Sequence, residues 1–119
     1  MIKVMFFLKK ADHLSHEEFY DWWLNKHAPA IVADQAPYLR RYHINLAVKD
    51  ASHLAPSVSS ADLDWDGVGI QYFDTVEDYN AVYTRTNRPT TPDTLKHIKE
   101  AKRFVVEEYE FDVSTGERR

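Results

Sequence analysis

Hydrophobic and polar positions alternate from residue 2 to residue 9. Ile2, Val4, Phe6 and Leu8 share one side, and Lys3, Met5, Phe7 and Lys9 the other, which is the period of a strand. The period then changes. In Leu14-Ser15-His16-Glu17-Glu18-Phe19, Ser15 is placed as an N-cap with Glu18 three residues on, and Leu14 and Phe19 stand where a hydrophobic staple forms. The helix so opened is expected to end near His27, because Pro29 drives the residue before it out of the α region. Pro29 then opens a second short helix carrying Ile31 and Val32, which Pro37 stops.

Residues 38–48 predict a second strand, with Tyr38, Arg40, Tyr42, Ile44 and Leu46 on one face and Leu39, Arg41, His43 and Asn45 on the other. Residues 49–64 have no periodicity and read as a long loop of the kind that serves as a lid. A third strand follows at 65–73, where Gly67 and Gly69 permit a bulge or a close backbone approach. Asp74 and Glu77 repeat the capping-box spacing ahead of a helix with Val76, Tyr79 and Tyr83 on its apolar side. After a break at 86–92, Leu95, Ile98 and Ala101 carry a helix from Pro92 to about Lys102, and 104–113 reads as the last strand. The polar tail, 114–119, is expected to be disordered.

Strand, helix, strand, strand, helix, strand is the order of an α+β, ferredoxin-like domain over residues 1–113: a four-stranded antiparallel sheet with helices on one face. The other face is left uncovered and carries apolar side chains of the first and last strands. A homodimer formed by sheet-to-sheet packing is therefore expected.

Composition narrows the picture further. A chain of 119 residues can bury one core, and 44% hydrophobic with 29% charged residues is ordinary for a soluble domain. A net charge of −4 with no basic stripe argues against nucleic acid as a partner. No apolar run reaches the roughly 18 residues of a membrane span, and the N-terminus lacks a secretory signal pattern. There is no cysteine, which removes disulfides and thiolate chemistry and makes a cytoplasmic setting the default. The aromatic residues, 13% of the chain, cluster in segments, which suggests a lined pocket.

The first helix concentrates the candidate chemistry. Stepping about 100° per residue from Phe19 puts Trp23 at about 40°, His27 at about 80°, Tyr20 at about 100° and Leu24 at about 140°. His27 thus lies within an apolar stripe that Trp22 only borders. It can be a core histidine packed on Trp23, or a general acid/base group in a low-dielectric pocket, its pKa held near neutrality by a helix C-terminus. Of the six histidines, no pair has the spacing of a His-Glu-x-x-His site, and no metal is expected.

The capped helix SHEEFYDWWLNKHAPAI, followed by YLRRYHIN and WDGVGIQYFDTVEDY, resembles the EthD family of small dimeric α+β barrel proteins. The similarity is collinear over roughly residues 2–112, and the His-Ala-Pro triplet at His27 is its most specific part. The resemblance implies a dimer whose two sheets form a barrel, a small-molecule cleft between sheet and helices, and His27 as the functional residue. Relatives of this architecture include muconolactone isomerases, cofactor-free monooxygenases, polyketide cyclases and decarboxylases or dehydratases of polyketides. Some bind haem through histidine, but nothing in this sequence requires it, and no cofactor is expected. One departure is Pro37-Tyr38, where family members often carry Pro-Gly.

These readings combine into an expected function. The chain is a cofactor-independent lyase or isomerase that uses acid/base chemistry on an aromatic or polyketide-like small molecule. His27 transfers the proton with Tyr72 as a second catalytic group, and Tyr20, Trp23, His43, Asn45 and Trp65 contact the substrate. A cofactor-free monooxygenase and a non-catalytic small-molecule binding protein are the alternatives.

Overall fold

The computed structural model describes residues 1–56 and 63–119. The expected lid at 49–64 therefore lies partly outside the described residues. Strands β1 (Ile2–Lys10), β2 (Leu39–Leu46), β3 (Gly67–Phe73) and β4 (Ile98–Val106) form one sheet in the order β2-β3-β1-β4, with every neighbouring pair antiparallel. Helices α1 (His16–Trp22), α2 (Ala28–Gln35), α3 (Val76–Tyr83) and α4 (Thr91–His97) connect the strands. This is the expected ferredoxin-like α+β architecture. Among the described residues no helix is long and apolar enough to cross a membrane.

The start of α1 follows its local code. Ser15 Oγ accepts from Glu18 N at 3.0 Å, and Glu18 Oε1 accepts from Ser15 N at 2.9 Å, so the capping box is complete. The end of that helix departs from expectation. His27 and Ala28 keep right-handed helical dihedrals, and residues Trp23–His27 form a π turn that leads directly into α2. Pro29 has no N–H to give, and its ring would crowd the carbonyl four residues back. The wider turn, closed by Ala28 N–H to Trp23 O, accommodates the ring without breaking the helix. The buried stripe is accordingly Phe19, Trp22, Trp23 and His27, while Leu24 is exposed.

Three other boundaries also shift. Thr75, not Asp74, caps α3, and its side chain accepts from Asp78 N. The last strand is Ile98–Val106 and not 104–113, and α4 ends at His97. Leu95, Ile98 and Ala101 fit a helical period, but pairing with β1 from Lys3↔Val106 to Lys10↔Ile98 claims the segment. Its Lys, Glu and Arg residues suit an edge strand. Residues 110–119 form a small hairpin in place of the expected disorder. Phe111 bridges Arg118, and Gly116 turns the chain at φ 76°, a conformation glycine adopts without strain.

Two apolar clusters fill the space between sheet and helices. One joins Leu8, Phe19, Trp22 and Trp23, the other Val4, Phe73 and Val82, and Phe6 packs against both. On the opposite face of the sheet the register aligns Met5 with Ile70 and Phe104, and Phe7 with Val68 and Lys102. Among the described residues no helix covers these side chains, and Phe104 is 57% exposed.

Candidate active site

A cavity of about 170 Å³ lies between the sheet and the helices. Its floor is sheet: Phe6 and Leu8 from β1, Tyr42 from β2, Gly69 and Gln71 from β3, and Ile98 and Ala101 from β4. Trp23, His27 and Ile31 form its helical wall, and Tyr83, Arg88 and the threonines 90, 91 and 94 close it. The alternation that sends Leu8 and Tyr42 inward places these groups, since successive strand residues point to opposite faces.

Trp23 stands over the two glycines of β3. A Cβ added to Gly67 would lie 2.6 Å from the Trp23 ring, and one on Gly69 3.1 Å from it. Gly67 and Gly69 are the small residues that let a fully buried indole lie on the sheet. The Trp23 Nε1–H donates to Tyr42 Oη at 3.0 Å. Tyr42 thus accepts from the wall and keeps its own proton to donate. Burial pushes its pKa up to about 12, so it serves as a neutral donor. Tyr83 is fixed from both sides, accepting from Gln35 Nε2 at 3.1 Å and donating to Gln71 Oε1 at 2.6 Å.

His27 is 7% exposed and forms part of the wall between this cavity and an outer pocket of about 460 Å³. The outer pocket is lined by Ala30, Ala33, Asp34, Pro89, Thr90 and Asp93. The imidazole stacks on Trp22 with ring centroids 4.5 Å apart, and His97 stacks on the same indole at 4.3 Å. Trp22 Nε1–H donates to Asp93 Oδ2 at 2.8 Å, which fixes the stack. Burial presses the His27 pKa down to about 4, with the Asp93 carboxylate opposing and Arg88 and His97 adding to the depression. The expected value near neutrality does not hold. The helix does not end at His27, and loss of water around the charged form dominates. At pH 7 the ring is a neutral imidazole that can accept a proton.

The structure brings His27 and Trp23 together and separates the other predicted site residues from them. Tyr20 lies beside the cavity wall, its hydroxyl donating to Ala47 O at 3.1 Å. Tyr72, His43, Asn45 and Trp65 lie on the opposite face of the sheet. Tyr72 donates to Glu108 Oε2 at 3.2 Å and meets the His43 ring at 5.3 Å. Asn45 donates to Val68 O, and Trp65 meets Phe7 edge-on at 5.9 Å. Strand alternation is the reason: the inward residues are their neighbours Tyr42 and Gln71. The signal was present, because Tyr42 shares its face with Ile44 and Leu46. Asp66 is a further surprise, a buried carboxylate that accepts from Lys10 N, His16 Nε2 and Lys49 Nζ. Burial would raise its pKa, but the Lys49 ammonium and the Lys10 N–H hold it below the usual carboxylate value. It anchors the start of β3 to β1 and α1, away from the cavity.

Comparison with known proteins agrees with this architecture. A family model described as EthD domain matches residues 11–105. A crystal structure of an ethyl tert-butyl ether D (EthD) family protein from Bacillus halodurans superimposes with a TM-score of 0.65 at 19% identity, covering 91% of this chain and 98% of that one. An Arabidopsis thaliana protein gives a TM-score of 0.67 at 10% identity, covering 95% and 100% of the two chains. A dimeric protein of unknown function with a ferredoxin-like fold, from Bacteroides fragilis, gives 0.61 at 16% identity over 90% and 95%. At these identities the three likenesses establish the fold. No curated protein sequence matches the chain.

Proposed function

This chain belongs to the EthD family, and from that premise we propose that it is a cofactor-independent enzyme of lyase or isomerase type in which His27 moves a proton on a small aromatic molecule. The observation that carries the reading is a neutral, buried imidazole on the wall of a largely apolar cavity. An apolar cavity of about 150 Å³ holds benzene, so 170 Å³ suits one aromatic ring, with any substituent chain reaching the outer pocket. His27 would take a proton from a carbon activated by a neighbouring carbonyl. The Tyr42 hydroxyl supports an enolate oxygen as a neutral donor. The imidazolium so formed in a site that disfavours its charge returns the proton readily, to a second carbon in isomerisation or to the departing hydroxyl in dehydration. Placed proton transfer is worth about 10²–10⁴-fold in rate.

The unit we propose is a homodimer. Met5, Phe7, Ile70 and Phe104 form an apolar strip on the uncovered face, and the similar Bacteroides fragilis protein is described as dimeric. The catalytic test is deuterium incorporation from D2O into phenylpyruvate, a single-ring compound with an enolisable carbon, followed by proton NMR. The wild type is expected to accelerate exchange, and a folded His27→Ala variant to lose about 10²–10⁴-fold of it. Catalysed exchange that persists in His27→Ala rejects the reading. Phenylpyruvate bound with no exchange would favour a binding protein.

A further inference from the structure

We infer that the inner cavity is built for an anionic ring compound, a carboxylate or phenolate, whose charge is held by Arg88. The inference rests on the proposed substrate cavity and adds the charge class of its ligand. Among the described residues lining that cavity, Arg88 is the one with a formal charge, His27 being neutral. Its side chain is 16% exposed. Its guanidinium lies over the Tyr83 ring, 4.6 Å from the centroid, and Tyr83 is itself held by Gln35 and Gln71. The cation is therefore set in a fixed plane, as recognition of a carboxylate requires.

Arg88 is also incompletely paired. Its Nε is fully buried and has no hydrogen-bond partner among the described residues. Its ion partner is Asp34, reached by one nitrogen at 3.4 Å. That carboxylate is already taken by Arg85, at 2.8 and 3.3 Å. Two guanidinium groups on one carboxylate leave one positive charge in surplus. Asp93, the other nearby acid, is turned to Trp22 Nε1 and His97 and lines the outer pocket, not the inner one. The Nε edge is closed off, so an anion entering the cavity would meet the exposed part of the guanidinium and supply the missing charge. Arg88 is close enough to His27 to depress its pKa. A ligand anchored there by its charged oxygen would thus present a neighbouring carbon toward the imidazole.

The test compares benzoate with benzamide, its neutral isostere, titrated into the full chain by calorimetry. A hydrogen bond to a charged group predicts about 10–100-fold tighter binding of benzoate. Folded Arg88→Gln is expected to bring benzoate down to the benzamide level and leave benzamide unchanged. A wild type that does not prefer benzoate, or a preference that survives in Arg88→Gln, overturns the inference. If that variant fails to fold, the Arg88 Nε–H signal in ¹⁵N NMR of the wild type decides. A shift on adding benzoate and not benzamide supports the site, and no shift refutes it. Benzoate preference with exchange unaffected in His27→Ala would reject only the acid/base reading. Lost exchange without benzoate preference would reject only the anion site.

Discussion

Replacing Gly67 by alanine tests how the cavity wall is seated. The added Cβ would lie 2.6 Å from Trp23 Cζ3, 3.2 Å from its Cη2 and 2.9 Å from the Asn45 carbonyl oxygen. Carbon atoms pack best at about 3.5–4.0 Å, so the closest contact is about 1 Å too short. Neither neighbour yields easily. Trp23 is fully buried, packed on Phe19 and bonded to Tyr42, and the carbonyl belongs to β2. Overpacking of a rigid core costs about 1–3 kcal/mol, and these contacts place Gly67→Ala toward the upper end. The stiffer unfolded chain returns about 0.4–1 kcal/mol, leaving a net loss of about 2 kcal/mol. Gly69→Ala, with its nearest contacts at 3.1 and 3.4 Å, is expected to cost less. Urea unfolding followed by circular dichroism measures both. A Gly67→Ala variant within about 0.5 kcal/mol of wild type, or one more stable than Gly69→Ala, would refute the seating of Trp23 described above.

Two further predictions concern charge and assembly. Burial lowers the His27 pKa from 6.5 to about 4, so between these values the unfolded chain binds more protons than the folded one. The His27 contribution is therefore fully present above about pH 6.5 and is lost as pH falls toward 4. Between pH 7 and pH 4.5 the wild type should lose about 2–3 kcal/mol more than His27→Gln in urea titrations, and equal losses would contradict the burial argument. Phe104→Asp, on the open sheet face, should convert a sedimenting dimer to a folded monomer. A variant that stays dimeric would place the interface elsewhere.

Much of this fold is written in short-range patterns. The Ser15–Glu18 capping box, the alternation of β1 and β2, and the stop at Pro37 each depend on residues within a few positions of one another, and the structure has all three. What could not be read depends on partners distant in sequence. The π turn at Trp23–His27 keeps the chain helical past the proline. Trp22 is buried because His97 and Asp93, from α4, close over it. The segment after His97 fits a helical period equally well, and only its pairing with β1 decides for a strand. In the site, His27 and Trp23 were legible because a helical stripe carries them. Tyr72 and His43 have suitable chemistry, but the alternation of β2 and β3 turns Tyr42 and Gln71 inward instead. Arg88 sits in a Pro/Thr-rich break without periodicity, so no pattern marks it. Its role depends on Asp34, shared with Arg85, and on Tyr83 beneath it.

The central claim is that His27 is a neutral base on the wall of an anion-accepting cavity. NMR titration of protein carrying ¹³C-labelled histidine, with His27→Gln to assign the signal, tests it most directly. The account predicts that the His27 signal titrates near pH 4 in the empty protein. It also predicts an upward move when benzoate is added, because a nearby negative charge favours the imidazolium. A signal that titrates at about 6.5, the value of an unperturbed histidine, and ignores benzoate would contradict it.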